Sequence, residues 1–125
     1  MNLLYVFIGG GVGSLLRYAF AICPLPFAFR NLPFEFPWST FAANIFACIV
    51  IGFVSHLYVR GDLNTQTRLL LATGFCGGLS TFSTFCLETL QLIQKGNFTL
   101  AGVYVLVSVI MCLLAVSIPI LISSK

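Results

Sequence analysis

Residues 72–88 read ATGFCGGLSTFSTFCLE, and this stretch decides how the chain folds. It lies inside an apolar region, yet it is a poor sequence for a continuous helix. Gly77 and Gly78 are adjacent and lower helix propensity by about 1 kcal/mol each. The serine and threonine hydroxyls that follow them compete for backbone hydrogen bonds. We therefore expect a helix break near residues 77–81, close to the membrane midplane.

The composition indicates an integral membrane protein. Of the 125 residues, 59% are hydrophobic and only 7% are charged, the net charge is +3, and the mean hydropathy is +1.06. Soluble domains carry about 25% charged residues, so this chain has too little charge to cover a surface that faces water. Nucleic-acid binding is disfavoured as well, because the lysines and arginines form no cluster.

Four stretches are apolar over the roughly 20 residues that a spanning helix needs. They predict helices at about 3–23, 38–58, 69–94 with the break near 77–81, and 98–122. The connections between them are short, so we expect residues 1–125 to form a single membrane domain. The predicted fold class is all-α, with four transmembrane helices of which the third is broken.

The charges of the loops favour dual topology. Arg60, Arg68 and Lys125 lie on the N-terminal side of the predicted bundle, and Arg30 and Lys95 lie on the other side. Orientation follows the lysine and arginine bias of the loops, which is almost even here. The chain can then insert both ways and form an antiparallel homodimer in the lipid bilayer. A single orientation, set by weak charge or lipid factors, is the alternative.

Three side chains of the second and third helices suit a small anion that has shed its water. Asn44 is a lone amide with two N–H donors in an apolar run. Phe82 and Phe85 share a helix face, and the edges of their rings carry positive charge. Simple packing is the commoner role for such residues, because an interhelical hydrogen bond or a ring pair also explains them.

A stripe of donors follows one face of the fourth helix, where spacing by four aligns Tyr104, Ser108 and Cys112. The thiol is the weakest of the three donors. Further polar candidates lie near the break or the helix ends: Arg17, Thr40, Ser83, Thr84 and Glu88. With one histidine and no paired carboxylates, the sequence shows no catalytic set, and we do not expect an enzyme. A donor-rich route that is nearly free of charge suits conduction of a small anion.

Three stretches of the chain resemble the Fluc (CrcB) family of fluoride channels. They are residues 9–18 (GGGVGSLLRY), 38–44 (WSTFAAN) and 74–85 (GFCGGLSTFSTF). The resemblance implies passive export of fluoride from the cytoplasm across the cell inner (plasma) membrane. It also implies an antiparallel, dual-topology homodimer with two pores and a central structural sodium ion held by backbone carbonyls.

Carried over residue by residue, the resemblance implies that Phe82 and Phe85 are pore phenylalanines and that Asn44 is the pore amide. It implies that Gly77 and Ser80 give their backbone carbonyls to sodium. The polar route would include Ser83, Thr84, Glu88, Tyr104, Ser108 and, where a serine is familiar in the family, Cys112.

The alternative function is a small four-helix, dual-topology exporter of drugs or cations. Such transporters need a buried carboxylate in the first helix, and residues 3–23 contain none. A structural membrane subunit without transport of its own is a third class, which reconstitution of the purified protein alone would distinguish.

Overall fold

The computed structural model describes residues 1–22 and 35–123. Every regular element in this part of the chain is helical: α1 (Asn2–Ile22), α2 (Trp38–Val59), α3 in three consecutive pieces (Thr65–Arg68, Leu69–Cys76 and Gly77–Leu79), α4 (Phe82–Gln94) and α5 (Phe98–Ser123). Four spans in it are long and apolar enough to cross a membrane, and α3 with α4 forms the third. The all-α fold class with a broken third span is confirmed. Cys23, Arg30 and Lys125 lie outside the described residues.

The third span is broken at Ser80 and Thr81, whose backbones are extended with ψ angles of 152° and 120°. The adjacent glycines do not cause the break, because Gly77 is helical with φ −64° and ψ −34°. Gly78 has a packing role instead, since a Cβ at this position would collide with the backbone carbonyl of Gly10. The break therefore follows the glycine pair and falls on the two hydroxyl residues.

The first part of α3 differs from the sequence expectation in two ways. It begins at Thr65, before the apolar run, because the side-chain oxygen of Asn64 accepts a hydrogen bond of 2.8 Å from the amide of Thr67 and caps the helix. The piece Leu69–Cys76 is a π-helix, which the sequence analysis did not predict. Such wide turns inside α-helices are frequently found at functional sites.

A glycine face joins α1 directly to α3. A Cβ at Gly9 would collide with the carbonyl oxygen of Leu70, and a Cβ at Gly13 would collide with that of Phe75. Gly74 of α3 belongs to the same contact, because a Cβ at Gly74 would lie 2.9 Å from the Cα of Gly9. The G-x-x-x-G face of α1 is therefore used for close packing within the chain.

The helices α2 and α5 run parallel to each other. Gly52 of α2 lies against the backbone of Val116 of α5, where a Cβ would stand 2.6 Å from the carbonyl oxygen. Twelve residues earlier on both helices, Thr40 of α2 and Tyr104 of α5 donate hydrogen bonds to the same carboxylate, that of Glu88. Because both pairs advance by twelve residues in the same direction, the two helices share one register.

Much of the helical surface is apolar and exposed. On α1, Leu3, Phe7 and Leu15 are each more than two-thirds exposed. In water such a surface would be costly, whereas in a bilayer it contacts lipid or another membrane helix. The chain is a multi-pass membrane protein.

We expect Gly9→Ala to destabilise the protein by about 1–3 kcal/mol, because the added methyl overpacks the contact between α1 and α3. Gly11→Ala is the matched control, since a Cβ at this position has no neighbour within 4 Å. The unfolding temperatures of both variants are measured in detergent. A Gly9→Ala variant as stable as the Gly11→Ala variant would contradict the packing described for α1.

Candidate ion pathway

Two side chains hold the break in the third span. The side-chain oxygen of Asn44, on α2, accepts a hydrogen bond of 2.9 Å from the amide of Thr81. The hydroxyl oxygen of Thr81 in turn accepts a hydrogen bond of 3.2 Å from the amide of Thr84 and so caps α4. The extended backbone is therefore satisfied from within the protein, as a break at membrane depth requires.

This arrangement releases two backbone carbonyls. In a continuous α-helix, the amide of Thr81 would donate to the carbonyl of Gly77, and the amide of Thr84 to that of Ser80. Both amides donate to side chains instead. The hydroxyl of Ser80 donates to the carbonyl of Cys76 over 2.8 Å, so its proton is engaged. The two backbone carbonyls are the oxygens that the break frees from helical hydrogen bonds.

A cavity of about 230 Å³ lies beside the break, and we call it the break cavity. It brings together five of the residues predicted from the sequence: Asn44, Phe82, Phe85, Ser108 and Cys112. The rest of its lining comprises Cys48, Ser80, Thr81 and Val109. The cavity is thus formed by α2, the break, α4 and α5 together.

The break cavity contains two hydrogen-bond donor groups that have no acceptor among the described residues. The hydroxyl of Ser108 is buried and has no hydrogen-bond partner among the described residues. The oxygen of the Asn44 amide faces Thr81, so its NH₂ group is the end that remains, and no described residue accepts from it. Buried polar groups are almost always paired, so the Ser108 hydroxyl points to a bound acceptor in this cavity, where the Asn44 NH₂ group is a second donor.

The two phenylalanines lie in a row of aromatic rings. The centroids of Phe82 and Phe85 are 5.8 Å apart with planes inclined by 30°, and Phe85 lies 5.0 Å from the ring of Tyr104. Phe85 is half-buried, whereas Phe82 is 77% exposed. Phe82 therefore stands on the open side of the break cavity, at the surface of the single chain.

Glu88 joins three helices. One of its carboxylate oxygens accepts a hydrogen bond of 2.7 Å from the Thr40 hydroxyl, and the other accepts one of 2.8 Å from the hydroxyl of Tyr104, which is fully buried. Hydrogen bonds to a carboxylate are strong. While Glu88 holds this position, the protons of these two hydroxyls are not offered to a passing anion.

A second cavity, of about 240 Å³, lies on the Arg17 side of this carboxylate, and we call it the arginine cavity. It gathers Arg17, Thr40, Thr84 and Glu88 from the predicted residues, together with Ser14, Tyr18, Ala21 and Ser39. No ion pair involves Arg17 within residues 1–22 and 35–123. An unpaired cation in a concave site raises the local concentration of anions.

Ser83 lines neither cavity. Its side chain is exposed, and its hydroxyl lies 3.2 Å from the hydroxyl of Thr81.

Sequence reasoning missed two members of this site. Thr81 holds both sides of the break, and a threonine that directly precedes a helix is a typical cap. Cys48 lines the break cavity together with Cys112. The spacing rule applied to the fourth helix would have found it, because Thr40, Asn44 and Cys48 are also four residues apart.

The sequence is similar to a known family and to named proteins in it. The family described as "CrcB-like protein, Camphor Resistance (CrcB)" matches residues 4–120. A protein of Phocaeicola vulgatus named "Fluoride-specific ion channel FluC" is 44% identical over 115 residues, which are 92% of each chain. A protein of the same name from Bacteroides fragilis is 42% identical over 92% of this chain and 90% of its own. The protein "Fluoride-specific ion channel FluC 1" of Mycobacterium tuberculosis is 40% identical over 92% of this chain and 84% of its own. The chain belongs to the CrcB family.

Proposed function

We propose that this protein is a channel that lets fluoride leave the cytoplasm passively across the plasma membrane. The relatives described above are named as fluoride-specific channels. The observation that carries the proposal is the pair of unused donors in the break cavity, the Ser108 hydroxyl and the Asn44 NH₂ group. An exporter of drugs or cations is not favoured, because its site would present carboxylates and not donors to the substrate.

The geometry explains how a small anion can shed water at this depth. Fluoride is strongly hydrated, so a path through protein must supply hydrogen-bond donors in place of water. The arginine cavity offers the cation of Arg17 at its lining, and the break cavity offers the donors of Ser108 and Asn44. Phe85 borders the second cavity, and the edge of its ring carries positive charge.

We extend the proposal to an antiparallel homodimer with one pathway for each chain. The support is the exposure of Phe82 and of Gly77 on the surface of a single chain, together with the nearly even charges of the loops. A second copy would cover these positions and close the open side of the break cavity. Two copies inserted in opposite directions would then give two pathways of opposite orientation.

The released carbonyls of Gly77 and Ser80 fit a structural sodium ion. Carbonyl oxygens are the hard ligands that such a cation prefers. One chain offers two of them, which is too few for a closed site, whereas two copies related by a twofold axis offer four. Such an ion would supply fixed positive charge between the pathways and would tie the copies together.

We expect Ser108→Ala to slow fluoride efflux from proteoliposomes at least about fivefold, because losing one charge-assisted donor costs about 1–3 kcal/mol. Ser117→Ala is the matched control on the same helix, since this hydroxyl donates to the Leu113 carbonyl of its own helix. A fluoride electrode records efflux, and chloride efflux from parallel liposomes tests selectivity. Parent protein that releases chloride as fast as fluoride, or a Ser108→Ala variant as fast as Ser117→Ala, would contradict the proposal.

Sodium binding should survive Ser80→Ala, because the proposed ligand is the backbone carbonyl, and the substitution removes only the hydroxyl that donates to Cys76. Sodium-23 NMR of the purified protein, titrated with sodium in a potassium-free buffer, provides the measurement. Absence of binding to the parent would exclude the ion. Loss of binding in a folded Ser80→Ala variant would show that the hydroxyl is the ligand.

A further inference from the structure

Two cysteines meet inside the break cavity. Cys48 belongs to α2 and Cys112 to α5, and both line the cavity. They lie at the same level of the two helices, because each stands four residues before a member of the close contact between Gly52 and Val116. Both are free and only partly buried. They are therefore accessible from the cavity and are not locked in a disulfide.

The packing of the two helices fixes the level at which these two cysteines lie. One turn beyond them, Gly52 presses against the backbone of Val116, so α2 and α5 cannot slide or separate there without losing that contact. One turn before them, Asn44 is tied to the break through the amide of Thr81. The two cysteines are thus flanked on both sides by contacts between elements of the bundle.

We propose that Cys48 and Cys112 form a binding site for a soft, two-coordinate metal ion, and that the bound ion blocks the anion pathway. Thiolate sulfur is the ligand that soft ions such as Cu(I) and Hg(II) prefer, and two opposed sulfurs suit linear coordination. With Hg(II), both S–H bonds break, two Hg–S bonds form, and two protons leave to water. The occupied site is then neutral, which a position within the membrane favours.

The position of this site explains why its occupation would stop conduction. Both thiols line the same cavity of about 230 Å³ as Ser108 and the Asn44 amide, so a metal ion between them stands beside the donors. Blockage rests on the proposed function, whereas metal binding does not. Within the described part of the chain, no group of three or more metal-ligating side chains competes for the ion.

Binding is tested on purified protein, freed of reducing agent and given one equivalent of HgCl₂. Intact-mass measurement should show one mercury bound with the loss of two protons, and alkylation should spare Cys48 and Cys112. Cys48→Ala and Cys112→Ser should each weaken retention against a competing thiol at least about a hundredfold, since removing a ligand costs more than disturbing its surroundings. Cys86→Ala, at an exposed thiol on α4, is the control and should retain mercury. Mercury held equally well by both cavity variants, or protection of Cys76 in place of either thiol, would overturn the site.

Blockage is tested in proteoliposomes, with efflux before mercury as the baseline of each variant. Hg(II) should stop fluoride efflux by the parent and by Cys86→Ala, and dithiothreitol should restore it. Cys48→Ala and Cys112→Ser should continue to conduct. Mercury bound to the two thiols without loss of efflux would overturn the block. A parent that never conducts fluoride would instead refute the proposed function, while the mass measurement would still decide the metal site.

Discussion

The hydrogen bond from the Thr81 amide to the side-chain oxygen of Asn44 is the interaction on which the rest of the site depends. In hydrocarbon, an amide released from its helix must find an acceptor within the protein, and Asn44 supplies it from a neighbouring helix. The same bond withdraws the helical donor from the Gly77 carbonyl and leaves the NH₂ group of Asn44 as the free end. This one hydrogen bond therefore ends α3, leaves the Gly77 carbonyl without its helical donor, and leaves the NH₂ group of Asn44 free to donate.

The parallel packing of α2 and α5 places the other residues of the site around this hydrogen bond. Their shared register brings Thr40 and Tyr104 to the same carboxylate. It also places Asn44 and Ser108, and Cys48 and Cys112, in one cavity. Close approach is possible because Gly52 leaves room for the backbone of Val116. The glycines of α1 do the same for α3, so the two halves of the bundle are each fixed by backbone contact.

Composition and spacing predicted a good part of this structure. The four spans follow from length and hydropathy, and the break was expected within two residues of its position. Of the two causes given for it, the hydroxyl residues fit the structure, because the break falls on Ser80 and Thr81. Gly77 and Gly78 are helical, since propensity takes no account of the backbone of α1 lying against Gly78. Spacing by four aligned Tyr104 with Ser108 and Cys112, since that periodicity is a property of a single helix.

What could not be predicted depends on contacts between helices. Nothing in the sequence tells which end of the Asn44 amide is occupied, because its partner is the amide of a residue 37 positions away. The hydrogen bonds from the Thr40 and Tyr104 hydroxyls to Glu88 likewise depend on contacts between helices, because the three residues lie on three different helices. The π-helical piece of α3 also escapes prediction, since its turns are set by packing more than by residue type.

The most direct test of this account is the fluoride efflux rate of a folded Asn44→Asp variant in proteoliposomes. Aspartate keeps an oxygen that can accept from the Thr81 amide, but it replaces the NH₂ donors with a negative charge that repels an anion. The account predicts that the variant folds and assembles like the parent and that its fluoride efflux falls at least about tenfold, which corresponds to about 1.4 kcal/mol. Efflux at the parent rate by the folded variant would contradict it.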